Sequence, residues 1–513
     1  MVVTRGNIMR KFGRLTTGAA SAAVVALALT ACSGGDTNDG GDGAASTEPI
    51  TWMAMLHTPT TPEKDGVIES ALEEYTGEKF EMQWVPDASK EEKINAALAS
   101  GALADIVSLT QGDSTTVRTA LTSGMFWDVE KYLADYPNLS KIDPQTLESA
   151  RIDGKLYGVP FQKIKARYGV VVRQDWLDNL GLETPHTIED LTKVADAFAH
   201  DDPDGNGKND TTGFIDREES FKVGFRSLAG YFGAGQQFEV TDDDQVVPSF
   251  TTDAYKEAME WYRGVYEDGG VNQEFVTVQK QNQQDAIAQS KGGIVVTGLF
   301  EAKNYMALAQ SADPETPMKW ALINDITYDD VPRRILTDTG GGMGGWLAIP
   351  KSEVESEADL KRVLGFIDKL MDEEAFALMT NGVEGTHYDI DGDGVVTITD
   401  ETAWEQEVQP YASSRPSEKV VTYKSTTEYV DEGNELMQEN EDYVVLNPAQ
   451  SLTSETYDRQ WSTIEQQVND AYNQYITGQI EMADFDAVIE GLRGQGLDKI
   501  IEEYTASYAA VNG

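Results

Sequence analysis

The stretch that decides the fold opens with Ile50-Thr51-Trp52-Met53-Ala54-Met55-Leu56, an apolar run typical of a buried strand. Four further elements follow it at short intervals. In order, we predict a helix that begins at Thr61-Pro62, a strand over Phe80 to Val85, a helix over Lys90 to Ser100 and a strand over Ala104 to Leu109. This alternation predicts an α/β fold with a mainly parallel sheet that helices cover on both faces.

Ligand contacts are expected at one edge of that sheet, because open α/β sheets bind ligands beyond the carboxyl ends of their strands. His57 follows the first strand, and the segment from Thr110 to Asp113 follows the third. We therefore predict that both loops face a ligand.

The remainder of the chain is predicted to form a second body of the same class. Strands are indicated at Tyr168 to Val172 and Gly293 to Thr297, and Thr187 has the spacing to Asp190 of a helix N-cap. A chain of 513 residues is longer than one hydrophobic core normally serves. Two lobes are therefore expected.

Charge and cysteine content exclude several classes of protein. The chain carries 40 Lys and Arg against 88 Asp and Glu, a formal net charge of -48. Such a field repels nucleic acids and anionic lipid headgroups, so neither is expected as a partner. The single cysteine cannot form a disulfide within the chain, so stability must come from buried area.

The amino terminus is predicted to be an export signal. Basic residues precede an uncharged apolar run, Ala19 to Ala31, that is too short to span a bilayer. The tetrad Leu29-Thr30-Ala31-Cys32 is similar to the lipobox of bacterial lipoproteins, in which the cysteine receives a lipid. We expect a signal peptide over 1–31 and a flexible, lipid-anchored tether over 32–48, on the outer face of the cell membrane. The alternative is an ordinary secretory signal with an incidental cysteine.

Two loops have the spacing of calcium sites. In the first loop Gly207 stands at the sharp-turn position, and every second residue before it offers a hard oxygen donor. The candidate ligands of this loop are Asp202, Asp204, Asn206 and Asp210. Gly213 stands where the usual bidentate acid would be, so the shell would have to be completed elsewhere.

The second loop, residues 389–400, matches the spacing more completely, with Gly394 at the turn. Its candidate ligands are Asp389, Asp391, Asp393, Val395 through its carbonyl, Thr397 and Asp400. We predict one or two structural calcium ions. Two solvated acidic turns remain the alternative, since this acidic composition forms them easily.

Signs of catalysis or nucleotide binding are weak. Gly340, Gly342 and Gly345 match G-x-G-x-x-G, but they lead into an apolar strand instead of following one, so we reject a dinucleotide site. There are four histidines, and neither G-x-S-x-G nor H-E-x-x-H is present. Acidic pairs are too abundant to indicate a glycosidase. We expect no enzyme activity.

Several motifs occur together in the order typical of one family. They are the lipobox cysteine, the polar tether, Tyr157-Gly158-Val159-Pro160-Phe161, Arg173-Gln174-Asp175-Trp176-Leu177, the loop 202–210, Gly344-Gly345-Trp346-Leu347-Ala348-Ile349-Pro350-Lys351 and Gly382-Val383-Glu384-Gly385-Thr386-His387-Tyr388. From about residue 50 onward the chain resembles the family 1 extracellular solute-binding proteins, the lipid-anchored oligosaccharide receptors of bacterial ABC importers.

The resemblance implies a two-lobe, type II clamshell of the periplasmic-binding-protein kind, with crossover segments at a hinge. Lobe 1 would hold 48–160 and 336–380, and lobe 2 would hold 161–335 and 381–513. It also implies permease subunits of an importer as partners, and we expect a monomer.

The same resemblance assigns candidate site residues. The loop after the third strand would supply Asp113 to sugar hydroxyls, and the glycine run would let the backbone approach the ligand. The other candidates are His57, Lys163, Lys165, Arg167, Tyr168, Asp338, Trp346, Glu384 and His387. Some relatives bind calcium at the first loop, which here adds the Lys208 carbonyl to its ligands. The alternating cations 163, 165 and 167 have a structural alternative, a surface stripe paired with acids.

We expect the ligand to be an oligosaccharide, with a neutral one favoured by the net charge. A receptor for uronate chains that uses Lys163, Lys165 and Arg167 is the alternative within binding proteins. A secreted glycoside hydrolase or lyase and a surface adhesin are the alternatives from other classes.

Overall fold

The computed structural model describes residues 45–58, 60–110 and 114–512. The predicted signal peptide, Cys32 and Asp113 lie outside these ranges. Within them, no helix combines the length and apolar character needed to cross a membrane.

A five-stranded sheet forms the first half of the fold. Its strands, in spatial order, are Phe80–Pro86, Ile50–Leu56, Ile106–Leu109, Met343–Ala348 and Gly158–Gln162. The first three strands are parallel, as predicted. Met343–Ala348 runs antiparallel to both of its neighbours, so that Trp346 lies opposite Leu109 on one side and Pro160 on the other. The sheet is therefore mixed, and a strand from far along the chain lies inside it.

A four-stranded sheet forms the second half. Its strands, in spatial order, are Trp320–Ile323, Tyr168–Arg173, Gly292–Gly298 and Thr212–Phe214. The other strands of the described residues form three small sheets. They are Ile335–Leu336 with Val444–Val445, Tyr388–Ile390 with Val395–Ile398 and Lys424–Ser425, and Phe238–Val240 with Val246–Pro248.

Helices cover both sheets. In chain order they are Val67–Thr76, Lys90–Ser100, Thr115–Thr122, Pro144–Ala150, Gln174–Leu180, Ile188–His200, Gly224–Tyr231, Asp253–Glu267, Lys280–Ala288, Ala302–Ala312, Glu357–Lys369, Glu373–Thr380, Glu401–Ala403, Gln409–Ser414, Val430–Glu439, Glu455–Ile476, Met482–Leu492 and Asp498–Asn512. Thr187 caps its helix as predicted, since its hydroxyl accepts a hydrogen bond from the Asp190 N–H at 3.1 Å.

The predicted start of the first helix is wrong. The helix begins at Val67, five residues after Pro62, and Gly66 before it is extended with ψ of 175°. The stretch 61–66 offers no apolar side chain at helical spacing, whereas Ile68 and Leu72 supply the buried face. Burial decides this boundary, and the proline signal does not.

Each sheet has its own hydrophobic core. The first core is built around Trp52, Trp346 and Phe366, all nearly inaccessible. On the second sheet, Val170 and Val172 face one core and Val171 faces another, because successive strand residues point to opposite faces. The first core also takes up Val408, from the part of the chain predicted for lobe 2. The predicted domain boundaries stay a prediction.

Candidate binding cleft

A cavity of about 620 Å³ opens between the first core and the second sheet. Arg167 reaches it from the crossing segment 163–167, which joins strand Gly158–Gln162 of the first sheet to strand Tyr168–Arg173 of the second. Phe300 follows strand Gly292–Gly298 of the second sheet, and Trp404 packs against the first core. Because its walls come from both halves, the cavity is an interlobe cleft.

Aromatic side chains line this cleft. Tyr423 stacks on the buried Phe376 with ring centroids 6.2 Å apart and an angle of 16° between the planes. Trp404 is fixed by a hydrogen bond from its Nε1 to the Thr380 carbonyl at 3.0 Å. Phe300 carries the Arg167 guanidinium 5.3 Å from its ring centroid. Fixed ring faces of this kind suit the flat C–H face of a sugar ring.

Arg415 is a cation of the cleft without a carboxylate in contact among the described residues. Its NH1 donates to Thr380 Oγ1 at 2.7 Å, and its Nε is buried with no partner in the described part of the chain. The guanidinium carbon lies 5.1 Å from the Phe376 ring centroid. Burial lowers the pKa of Arg415, and the nearby Glu418 charge opposes that shift.

Lys303 and Lys424 add two further cations to the lining. Loss of hydration lowers the pKa of Lys303, with Glu301 opposing it, and within the described residues no carboxylate forms an ion pair with Lys303. The acids of the lining are Glu401, Glu405 and Glu418. The cleft is therefore much less acidic than the chain as a whole.

The predicted basic stripe at 163, 165 and 167 is paired with acids throughout. Lys163 forms an ion pair with Glu418, and the buried Lys165 Nζ lies 2.9 Å from Asp143 Oδ2. Arg167 lies 2.8 Å from Asp338 Oδ2, and its backbone N–H donates to the same carboxylate. These contacts match the alternative in which the stripe is a set of cations paired with acids. Of the three residues, only Arg167 lines the cleft.

The pKa directions agree with that pairing. Burial alone would raise the pKa of Glu418, but Lys163 and Arg415 outweigh it and hold the pKa below its usual value. Burial would lower the pKa of Arg167, but the Asp338 carboxylate outweighs it, so the pKa is raised. Both groups are therefore held in their charged forms.

Three other predicted ligand residues, His57, Tyr168 and Glu384, do not line the cleft. The exposed His57 imidazole has Nδ1 3.5 Å from Asp87 Oδ1, and loss of hydration lowers its pKa in spite of Asp87. Tyr168 lies beneath the Arg226 guanidinium, whose carbon is 6.0 Å from the ring centroid. Glu384 is exposed on the turn before strand Tyr388–Ile390.

The expectation that Trp346 and His387 contact a ligand is corrected. Trp346 is 1% exposed, and its Nε1 donates to the Ala150 carbonyl at 2.8 Å inside the first core. His387 is 0% exposed; its Nδ1 accepts from the Val383 N–H at 3.0 Å, and its Nε2 lies 3.2 Å from Glu407 Oε2. Both side chains hold the fold together.

The glycine run approaches protein rather than an open site. A Cβ on Gly345, whose φ is +126°, would collide with the Leu109 carbonyl in the neighbouring strand. Gly341 has a φ of +71° and lies against Ser149 of helix Pro144–Ala150. The run is therefore required for close packing of the backbone within the first half.

The first predicted calcium loop wraps around its own amide groups. Asp202 Oδ1 and Oδ2 accept hydrogen bonds from the N–H groups of Asn206 and Gly207 at 3.0 and 2.9 Å. The Asn206 Nδ2 donates to Asp204 Oδ2 at 2.8 Å and to Asp210 Oδ1 at 3.0 Å. Carboxylate and amide groups that converge in this way match calcium in donor chemistry.

The second predicted calcium loop is a β-hairpin. Asp389 pairs across it with Thr397, and Asp391 Oδ1 accepts from the N–H groups of Asp393 and Val395, each at 2.9 Å. Asp400 caps the next helix by accepting from the Ala403 N–H. In this structure the acids of the loop serve the hairpin and the cap, and calcium at this loop stays a prediction. In the described part of the chain, no cluster of three or more His, Cys, Asp or Glu side chains is arranged to hold a metal.

Sequence reasoning missed most of the cleft. Its remaining walls come from Phe300 and Lys303, from Phe376 to Trp404, and from Arg415 to Gln438. One part of the sequence does indicate a break in secondary structure beside Arg415. The polar segment Ser413-Ser414-Arg415-Pro416 interrupts the helical pattern there. The remaining lining residues come from separate helices, strands and loops, and they share no local sequence pattern.

The fold and the cleft define a two-lobed solute-binding protein. The chain belongs to the family of bacterial extracellular solute-binding proteins, whose family model matches residues 68–387. The predicted resemblance and the predicted clamshell fold are confirmed.

Two relatives are similar to this protein over nearly the whole chain. The polygalacturonan/rhamnogalacturonan-binding protein YtcQ of Bacillus subtilis (strain 168) is 34% identical over 484 residues, which is 94% of this chain and 95% of that relative. Lipoprotein LipO of the same organism is 30% identical over 494 residues, 94% of this chain and 97% of LipO.

Among solved structures, the ABC-transporter substrate-binding protein FusA of Streptococcus pneumoniae in complex with kestose has the same fold. The TM-score is 0.66 at 21% sequence identity, over 90% of this chain and 99% of FusA.

Proposed function

We propose that this protein is the substrate-binding receptor of an ABC importer and that it captures oligosaccharides containing uronate units. The observation that carries the uronate assignment is the charge of the cleft, where Arg167, Lys303, Arg415 and Lys424 line one cavity of a chain with net charge -48. The similarity to YtcQ, a polygalacturonan/rhamnogalacturonan-binding protein, supports the same ligand class.

The cleft offers both interactions that an acidic sugar needs. Phe300, Trp404 and Tyr423 provide ring faces for stacking. Arg415 and Lys303 provide charged donors for carboxylates, and charge-assisted hydrogen bonds of this kind are about twice as strong as neutral ones. Within the described residues no carboxylate contacts either cation, so a ligand need not displace an existing ion pair.

The neutral sugar expected from the net charge is the less favoured ligand. Long-range repulsion by the acidic surface is screened by salt over about 10 Å, whereas contacts inside the cleft are screened much less. The local cations therefore outweigh the global charge, and the uronate alternative from the sequence analysis becomes the proposal.

Calorimetry tests the assignment. The protein is titrated with trigalacturonate and with a neutral trisaccharide of galactose, matched in ring number. We expect trigalacturonate to bind and the neutral sugar to bind at least tenfold more weakly, which corresponds to about 1.4 kcal/mol. Equal affinities, or tighter binding of the neutral sugar, would return the assignment to neutral oligosaccharides.

We also propose that the ligand is released unchanged. The described cleft holds two lysines, two arginines and three glutamates, and the sequence contains none of the nucleophile motifs sought. Incubation with fluorescently labelled oligogalacturonate followed by chromatography should return the ligand at its original length. Shorter products would favour the hydrolase or lyase alternative.

A lipid on Cys32 is proposed as the anchor, with permease subunits of the importer as partners and a monomeric receptor. The motif Leu29-Thr30-Ala31-Cys32 and the similarity to Lipoprotein LipO support it. Metabolic labelling with an alkyne fatty acid should mark the wild type and fail to mark Cys32→Ala. Equal labelling of the two would show that the lipid lies elsewhere.

One structural calcium ion is proposed for the loop 202–210. Its ligands would be Asp202, Asp204, Asn206, Asp210 and the Lys208 carbonyl. The Asn206 amide would have to flip, so that its oxygen takes the place of the Nδ2 that now donates to Asp204 and Asp210. Calcium should raise the melting temperature of the wild type and not that of Asp202→Asn. If chelation leaves the melting temperature of the wild type unchanged, the proposal fails.

A further inference from the structure

A second cavity, of about 200 Å³, lies in the half built on the second sheet. It has no lining residue in common with the interlobe cleft. Phe221 and Phe250 supply apolar wall, and Arg226, Gln236 and Trp461 supply polar groups. The volume suits one ring-sized ligand and is too small for an oligosaccharide.

Three polar atoms of this lining are buried without a hydrogen-bond partner in the described part of the chain. They are Arg226 Nε, Gln236 Oε1 and Trp461 Nε1. Each buried polar group left unpaired costs about 1–3 kcal/mol. The folded protein thus carries two donors and one acceptor around one small space, and an occupant that pairs with them recovers that cost.

The Arg226 guanidinium makes no ion pair with a described carboxylate. Burial lowers its pKa; the Asp338 charge opposes this, but that carboxylate is held by Arg167. The remaining charged groups of the lining neutralise each other, since Lys222 Nζ lies 2.6 Å from Glu465 Oε2. The unbalanced charge of the cavity is therefore positive.

The aromatic side chains keep the donors in place. Trp461 stacks with Tyr457, at a ring-centroid distance of 5.0 Å, and with Phe250, at 6.0 Å. These contacts fix the plane of the indole, which lines the cavity and whose Nε1 is buried. Gln237 next to Gln236 has a φ of +60°, a conformation that non-glycine residues adopt at a cost and that is frequent at binding sites.

We propose that this cavity is a second binding site, for a single carboxylate-bearing ring with hydroxyl groups, such as a monomeric uronic acid. The carboxylate accepts from Arg226 Nε and Trp461 Nε1, and a ring hydroxyl donates to Gln236 Oε1. Phe221 and Phe250 contact the apolar side of the ring. The site does not depend on the function proposed for the cleft.

Calorimetry on the whole mature protein tests this, with D-galacturonate as the probe and D-galactose as its neutral match. The ligand-induced change in tryptophan fluorescence that is lost in Trp461→Phe gives a second readout at the site, since the chain has nine tryptophans. Arg415→Gln is used as the background, since it weakens uronate binding in the cleft. In that background we expect galacturonate to bind with one-to-one stoichiometry and galactose to bind at least tenfold more weakly.

Two variants locate the binding. Arg226→Gln removes the charge and Trp461→Phe removes only the N–H, and each should weaken galacturonate binding at least tenfold. Arg459→Gln, on the same helix and 67% exposed, is the matched control and should bind as before. Thermal melts confirm that each variant is folded.

Each remaining outcome overturns the proposal. Absence of galacturonate binding would show that water satisfies the three atoms. Equal binding of galactose would remove the role of the carboxylate. Binding that survives both Arg226→Gln and Trp461→Phe would place the ligand outside this cavity.

Discussion

The basic stripe of residues 163–167 and the cations of the cleft wall look alike as charges but differ in their partners. Lys163, Lys165 and Arg167 each have a carboxylate within contact distance. Lys303 and Arg415 have none among the described residues. The difference teaches that a cation in an acidic chain is available to a ligand only where the fold keeps acids away from it. We therefore expect the stripe mainly to stabilise the crossing segment 163–167, and Lys303 and Arg415 to contact the ligand.

The largest expected effect is on the stripe. Asp338→Asn should destabilise the protein by about 2 kcal/mol, because the Arg167 side chain, which is 26% exposed, loses its charge-assisted hydrogen bond to the carboxylate. The Asp338 side chain is only 3% exposed. Urea denaturation measures the free energy of unfolding.

The control for that variant is Glu189→Gln. It removes an exposed ion pair with Lys193, whose side chain is 62% exposed, and should change stability by less than about 0.5 kcal/mol. If the two variants are equally stable, the stripe is not structural.

The next effect is on the wall. Arg415→Gln should weaken trigalacturonate binding about tenfold, or 1.4 kcal/mol. It should cost no more than about 1 kcal/mol of stability, because it removes the hydrogen bond to Thr380 Oγ1 but leaves no described carboxylate without a partner. Arg151→Gln removes a cation that pairs with Glu130 outside the cleft, and should bind as the wild type does. A large loss of stability in Arg415→Gln, at unchanged affinity, would make the wall a second structural stripe.

A smaller effect is expected on the pH dependence of stability, through Asp143 of the pair with Lys165. Burial would raise the pKa of Asp143, but the hydrogen bond and charge of Lys165, together with the N–H groups of Thr146 and Gln145, outweigh it and the pKa is lowered. The unfolded chain therefore binds more protons, so the contribution of Asp143 is complete above its unfolded pKa and lost as pH falls through the folded pKa.

Asp143→Asn should remove up to about 1 kcal/mol of stability at neutral pH. Its stability should also fall less than that of the wild type between neutral pH and pH 3, about a unit below the usual Asp value. Urea denaturation at several pH values measures this. Parallel pH profiles would show that the pair with Lys165 contributes nothing.

The smallest expected effect is the dependence on salt concentration, which should differ between ligand affinity at the cleft wall and stability at the basic stripe. Binding of trigalacturonate should weaken a few-fold between low and high salt, because the mouth of the cleft is open to screening, and the change should be smaller in Arg415→Gln. Calorimetry at several salt concentrations gives the slopes. The same salt series should change the stability difference caused by Asp338→Asn less, since the Asp338 carboxylate is only 3% exposed.

The sequence was sufficient for elements whose pattern is local. Strand Ile50–Leu56 and helix Lys90–Ser100 lie where their apolar spacing predicts them. Trp346 was misjudged because a strand pattern does not show which face of an aromatic is covered. Arg415 and Phe300 were missed because they are 115 positions apart in the sequence, and only the packing of the two halves brings them to one cavity.

The strand Met343–Ala348 has a consequence for how the chain acquires its structure. It fills the gap between Ile106–Leu109 and Gly158–Gln162, and supplies the hydrogen bonds that both need. During synthesis from the amino terminus, these two strands therefore keep unpaired edges until more than 180 later residues have been made. Unpaired edges invite aggregation, so the first half depends on protection in that interval, while the second sheet, whose strands all lie within 168–323, can close earlier.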